Sequence, residues 1–105
     1  MRKKMTTKEK IINKAFKAVG ERNDHYGTPL ENFERIAKLW SCHLEHHISV
    51  YDVGVMLMLL KIARSKHDSL HEDTWIDIAG YAGATAEATF LDEEIKKEMK
   101  EYGMD

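Results

Sequence analysis

Residues 52–64, DVGVMLMLLKIAR, constrain the fold more than any other stretch of the chain. Val53, Val55, Met56, Leu57, Met58, Leu59, Leu60 and Ile62 leave a helix drawn through them with no polar face. Such a helix has to be covered on every side. The run from Val53 to Leu60, with Gly54 inside it, is far shorter than the roughly 20 residues a bilayer span requires. It is therefore a core helix. In a chain of 105 residues few other elements exist to bury it, so other copies of the chain are expected to cover its second face.

The length predicts one domain over residues 1–105, and a hydrophobic content of 43% is enough for a core. A net charge of −2 gives no global basic field for duplex DNA or an anionic membrane, so any anion site must be local. Cys42 is the single cysteine, which excludes an intramolecular disulfide and is expected to be a small buried side chain in a reducing, cytoplasmic protein. The opening MRKKMTTKEK is basic without an apolar stretch of signal-peptide length.

Helical spacing accounts for the rest, and nothing reads as a strand. Thr6 and Glu9 form a capping box for a helix over residues 7–21, with Ile12, Ala15, Phe16 and Val19 on one face. Thr28, Pro29 and Glu31 supply an N-cap, an N1 proline and a box partner for a second helix carrying Leu30, Phe33, Ala37, Trp40 and Leu44. Ser49 and Asp52 start the third. Asp73 is expected to cap the fourth, TWIDIAGYAGATAEATF, whose Gly80 and Gly83 each cost roughly 1 kcal/mol against Ala and so imply close approach of another helix. The charged segment DEEIKKEMKEYG continues or restarts that helix and stops at Gly103. The expected fold is all-α: a compact, oligomeric bundle of four to five helices.

Four groups of residues stand apart from this core pattern. Arg22, Asn23, Asp24, His25, Tyr26 and Gly27 are expected to form a loop ahead of a helix N-terminus, where free N–H groups favour an anion. Arg22 suits a phosphate and Tyr26 a base; a plain connection with turn bonds at Asn23 and Asp24 explains the loop equally well. Lys61 and Arg64 sit three residues apart at the end of the apolar helix, and Lys61 must either snorkel out or meet an anion. Glu31, Glu34, Asp73 and Asp77 offer oxygen ligands for Mg²⁺, although capping explains Glu31 and Asp73, and Asp77 has a salt bridge to Lys61 or Arg64 as its simpler role. His43, His46 and His47, and His67 and His71, lie at helical spacings without an HExxH pattern and are expected at the surface.

The blocks DHYGTPLENFERIAKLW, VMLMLLKIAR and DTWIDIAGYAG resemble the motifs YG-x-P-x-x-NF, LLK-x-AR and D-x-W-x-D-x-AGYA of a family of small, all-helical phage and prophage proteins. The resemblance runs over residues 18–88. Through that family the chain is distantly similar to MazG-like nucleoside-triphosphate pyrophosphatases, which hold Mg²⁺ on an ExxE pair and later carboxylates. Glu31 and Glu34 can be laid on the pair; Asp73 and Asp77 are spaced D-x-x-x-D, and the usual ExxD is absent. Phage proteins of this general kind also include sponges that bind cyclic dinucleotide alarm signals such as cGAMP without cleaving them (anti-CBASS immune evasion). The resemblance therefore implies a nucleotide-binding sponge in the bacterial host cytoplasm, with no catalytic residue and no metal. Its expected ligand contacts are Arg22, Asn23, Asp24, His25, Tyr26, Asn32, Trp40, Lys61, Arg64, Trp75 and Tyr81 in clefts of a homo-dimer or tetramer. The alternative is a Mg²⁺-dependent pyrophosphohydrolase using Glu31, Glu34, Asp73 and Asp77.

Overall fold

The computed structural model describes residues 4–104; the ends of the domain expected over residues 1–105 lie outside the described residues. The described chain is a bundle of four helices without strands: α1 (Thr7–Tyr26), α2 (Pro29–Leu44), α3 (Val50–Ser65) and α4 (Glu72–Glu101). Among the described residues no helix is long and apolar enough to cross a membrane.

Local chemistry sets three of the four starts. Thr6, Thr28 and Ser49 each accept from the backbone N–H three residues on, and Glu9, Glu31 and Asp52 return the bond. Each box satisfies two of the amides that a helix start leaves without partners. α4 differs. Its N-cap is His71, with no side-chain cap bond, and Asp73 lies inside the first turn, where a negative charge suits the helix dipole. The charged segment continues α4 without a break, so there are four helices and not five, and the chain leaves α4 through Gly103 at φ +70°.

The second boundary to move is the end of α1. The helix does not stop at Glu21. It runs through Arg22, Asn23, Asp24, His25 and Tyr26, and Gly27, at φ +84°, makes the turn into α2. Positions 15, 19, 22 and 26 share one helical face, and that spacing is the signal for the extension. Arg35 Nη2 then donates to the Tyr26 carbonyl and ties α2 to the end of α1.

α4 packs against each of the other three helices, most extensively against α3. The core is a cluster of Phe33, Ala37, Val50, Val53 and Ala88, with Leu57, Trp40 and Tyr81 packed around it. Close helix approach occurs at Gly54 of α3. A Cβ placed there would lie 2.0 Å from Thr85 Oγ1 and 2.7 Å from Thr85 Cβ. Gly80 meets Val19 at an ordinary 3.6 Å and Gly83 faces open space, so the α4 glycines are not the tight contact that their helix cost implied.

α3 is not enclosed. Val50, Val53 and Gly54 are buried, while Met56, Leu59, Leu60 and Ile62 are exposed in the single chain. Cys42 is exposed as well, since it falls on the outer side of α2's last turn, away from the Phe33–Ala37 face. The radius of gyration is 16.5 Å, against about 13 Å expected for a globule of this length, and the extents of 60 × 33 × 21 Å make the bundle elongated.

Candidate functional site

Asp77 organises the polar end of the bundle. It lies in the second turn of α4, half-buried, between the last turns of α1 and α3. Its Oδ1 accepts from Arg22 Nη2 at 3.2 Å and its Oδ2 meets Lys61 Nζ at 2.8 Å. The Lys61 side chain is only 16% exposed, so this is not a solvated surface pair. Of the two outcomes expected for Lys61, snorkelling out or meeting an anion, the structure has the second, and the anion is Asp77 of the same chain.

Arg22 has a second contact. Its guanidinium carbon lies 4.6 Å from the centroid of the Tyr81 ring, within cation–π range. Tyr81 is one turn on from Asp77, so the ring and the carboxylate project from the same side of α4. Asp77 and Tyr81 together hold the guanidinium in one place. This arrangement requires Arg22 to be helical; from a loop it would not be positioned by α1 against α4.

Two clefts open on either side of Asp77. The first lies between α1, α2 and α4, with Arg22, Asn23 and Tyr26, Asn32, and Asp77 and Tyr81 at its walls. Its volume is about 40 Å³, enough for a water or two, and Phe33 and Ile76 make it apolar inside. The second cleft is open and larger, about 350 Å³. Lys61 and Arg64 of α3, His67 and His71 of the connection, and Asp73 and Asp77 of α4 line it. Arg64 pairs with no carboxylate among the described residues.

The structure thus brings together Arg22, Asn23, Tyr26, Asn32 and Tyr81 on one side of Asp77, and Lys61 and Arg64 on the other. Asp24, His25, Trp40 and Trp75 line neither cleft. His25 stands edge-on to Tyr26, with ring centroids 6.3 Å apart. Trp40 is packed on the core. Trp75 Nε1 donates to the Ser69 carbonyl at 2.8 Å and pins the connection between α3 and α4.

The four carboxylates considered for Mg²⁺ are divided. Glu31 closes the α2 capping box, with its Oε1 2.9 Å from Thr28 Oγ1. Glu34 lies by Lys38, Asp92 and Lys96 on another face. Asp73 and Asp77 share the larger cleft, where Asp77 is held by two cations. Among the described residues no group of three or more His, Cys, Asp or Glu side chains is arranged to hold a metal. Elsewhere, the Lys14 ammonium beside Glu72 holds that carboxyl below its ordinary value and links α1 to the start of α4.

The sequence reading missed Ile76 and Phe33 as the apolar interior of the first cleft, and Gly80 beside them. Ile76 and Gly80 stand four residues apart on α4, and Phe33 and Ala37 four apart on α2; that spacing on one helical face is the signal that marks them.

The chain is similar to phage proteins over most of its length. A family model described as "Domain of unknown function (DUF6378)" matches residues 10–89. The "Gene 55 protein" of Mycobacterium phage D29 is 49% identical over 76 residues, 71% of this chain and 50% of that protein. The "Gene 55 protein" of Mycobacterium phage L5 is 43% identical over 91 residues, 86% of this chain and 54% of that protein. The chain therefore spans about half the length of these curated relatives. No solved structure matches it. The matched region contains α2, α3, both clefts and Asp77, and on that match the chain belongs to the DUF6378 family.

Proposed function

We propose that this protein captures a phosphorylated nucleotide across the two clefts and holds it without cleavage. One observation carries the reading: two cations, Arg22 and Lys61, share the single carboxylate of Asp77. When Lys61 turns to a phosphate, Asp77 keeps Arg22. The rearrangement leaves no buried charge without a partner, which is the usual obstacle to opening a buried ion pair. Arg64, beside Lys61 in the same cleft, supplies a second cation for the phosphate.

Size assigns the parts of the ligand. A volume of about 350 Å³ falls within the roughly 300–1,000 Å³ of small-molecule sites, so the phosphates go beside Lys61 and Arg64. The smaller cleft is too tight for a base, so the base lies at its rim. There Tyr26, exposed, and the outer face of the Arg22 guanidinium offer stacking surfaces, and Asn23 and Asn32 offer amides to a base edge. A cyclic dinucleotide signal such as cGAMP, met in the cytoplasm of a phage-infected host, fits this division of cations and rings. Self-association as a dimer or tetramer is part of the reading and is supported by the exposed apolar side of α3.

Isothermal titration with cGAMP, ATP and GTP, each with and without Mg²⁺, tests it. The expected result is saturable binding of a nucleotide that is recovered intact after heat denaturation. Arg64→Ala is expected to weaken binding by about 10–100-fold, the loss of one charge-assisted contact. Release of pyrophosphate in Mg²⁺ replaces capture with hydrolysis, and absence of saturable binding at millimolar nucleotide overturns the proposal.

A further inference from the structure

The charge of the chain is unevenly placed. Residues 1–20 hold seven Lys or Arg against one Glu, a charge of +6, and the other 85 hold nine Lys or Arg against seventeen Asp or Glu, a charge of −8. The net charge of −2 conceals this division, which surrounds the start of α1 with a local positive field and turns anions away from the rest of the surface. Glu9, the single acidic residue among the first twenty, is engaged in the α1 capping box. Lys10, Lys14 and Lys17 follow at steps of four and three residues and so share one face of α1, with Asn13 beside them. Like charges at these spacings repel, and a bound polyanion removes the repulsion.

With Met5 and Phe16 these side chains line a cleft of about 390 Å³. Asn13 Nδ2 donates to Met5 Sδ at 3.4 Å and draws the residue ahead of the helix onto this face. Both clefts beside Asp77 contain carboxylates; this one contains none. Lys14 also reaches Glu72, but the two side chains are 55% and 46% exposed, and so solvated a pair opens at little cost. Phe16 is 82% exposed and gives the cleft a free aromatic face. Ammonium groups around one open ring are the parts of a strand site: phosphates meet the lysines and an unpaired base stacks on the ring. A lipid surface fits less well. An interfacial helix sinks a continuous apolar stripe into the bilayer. The apolar stripe of α1 is already occupied, since Ala15 is buried and Val19 lies beside Gly80 of α4. What remains outward is a concave, cationic cleft, which admits a nucleotide and not a flat bilayer.

We infer that the face of α1 carrying Lys10, Lys14, Lys17 and Phe16 is a docking site for single-stranded nucleic acid. The site shares no residue with the clefts beside Asp77 and does not depend on the nucleotide reading. Fluorescence anisotropy of the full chain with labelled oligothymidylate and oligouridylate of about 15 nucleotides tests it, with far-UV circular dichroism reporting that each variant remains helical. Saturable binding of at least one strand is expected at about 50 mM salt, and log K is expected to fall against log salt with a slope of about −2, roughly −0.7 for each of three phosphates. Lys10→Gln/Lys17→Gln is expected to weaken binding at least tenfold and to bring the slope to about −0.7. Phe16→Ala is expected to weaken binding about 5–100-fold with the slope unchanged, the loss of one stacked base. No saturable binding of either strand overturns the inference, as do variants that bind as wild type does or a duplex bound as tightly as the single strand. Cosedimentation with phosphatidylglycerol vesicles tighter than strand binding assigns the face to a lipid surface and overturns it too.

Discussion

Gly54→Ala is expected to destabilise the protein even though it replaces the poorest ordinary helix former with the best. The new Cβ meets Thr85 Oγ1 at 2.0 Å, Cγ2 at 2.5 Å and Cβ at 2.7 Å. Rotating the Thr85 side chain does not clear it, because the Cβ of Thr85 is itself too close and Oγ1 donates to the Tyr81 carbonyl at 2.6 Å. The helices must separate by about 1 Å to restore a carbon–carbon contact of roughly 3.5–4.0 Å. That separation opens the α3–α4 contact along its length, from Val53 to the Lys61–Asp77 pair. Overpacking of this kind costs about 3 kcal/mol at the upper end of the common range, and the gain in helix propensity returns about 1 kcal/mol. The net loss of about 2 kcal/mol corresponds to a fall of roughly 10 °C in Tm.

Thermal melts followed at 222 nm measure it. Gly83→Ala, where nothing lies within 4 Å, is the matched control and is expected to gain about 1 kcal/mol. Thr85→Gly is expected to rescue Gly54→Ala and Thr85→Ala is not, since the Cβ–Cβ distance of 2.7 Å persists in the latter. A Gly54→Ala protein that melts at or above the wild-type temperature refutes the reasoning.

Two further outcomes follow from the ion pairs and caps. Asp77→Ala is expected to lower stability by about 3 kcal/mol, because it strands two cations, and Lys61→Ala by about 1–2 kcal/mol, because Asp77 retains Arg22; urea unfolding that ranks them the other way contradicts the shared-carboxylate geometry. Ser49→Ala is expected to cost about 1 kcal/mol at pH 7 through loss of the α3 cap. The Ser49 backbone N–H and side chain hold the Asp52 carboxyl below its ordinary value of 3.8, so the stability contributed by the ionised Asp52 is present above the ordinary value and is lost as pH falls through the lowered one. Urea titrations from pH 7 into acid should accordingly show the penalty of Asp52→Asn shrinking as the wild-type carboxyl takes up its proton.

Local signals carried much of this fold. The three capping boxes are short-range chemistry, written within four residues of each start, and each forms as its spacing implied. Tertiary contacts were less legible. Gly80 and Gly83 carry the same helix cost as Gly54, and nothing local distinguishes the one that touches Thr85. At the candidate site, Lys61 and Asp77 could be paired from their chemistry and helical positions. Arg22 could not be joined to them while α1 was ended at Glu21, because Asn23, Asp24 and Gly27 are turn-forming residues and their local preference hid the helical face of positions 15, 19, 22 and 26. α4's start was misplaced for a related reason: Asp73 is a good N-cap type, but here it serves the dipole from inside the helix.

The carboxylate of Asp77 gives one oxygen to each side of α4, and this makes the two sides thermodynamically interdependent. An anion that draws Lys61 away leaves the whole negative charge of Asp77 to Arg22, which is then less available to a second anion at the opposite mouth. Were anions to bind at both mouths, occupancy on one side would oppose occupancy on the other by the same factor in both directions. Two separate anions would thus compete at a distance, whereas one guest reaching over the divide would meet both cations in a single event.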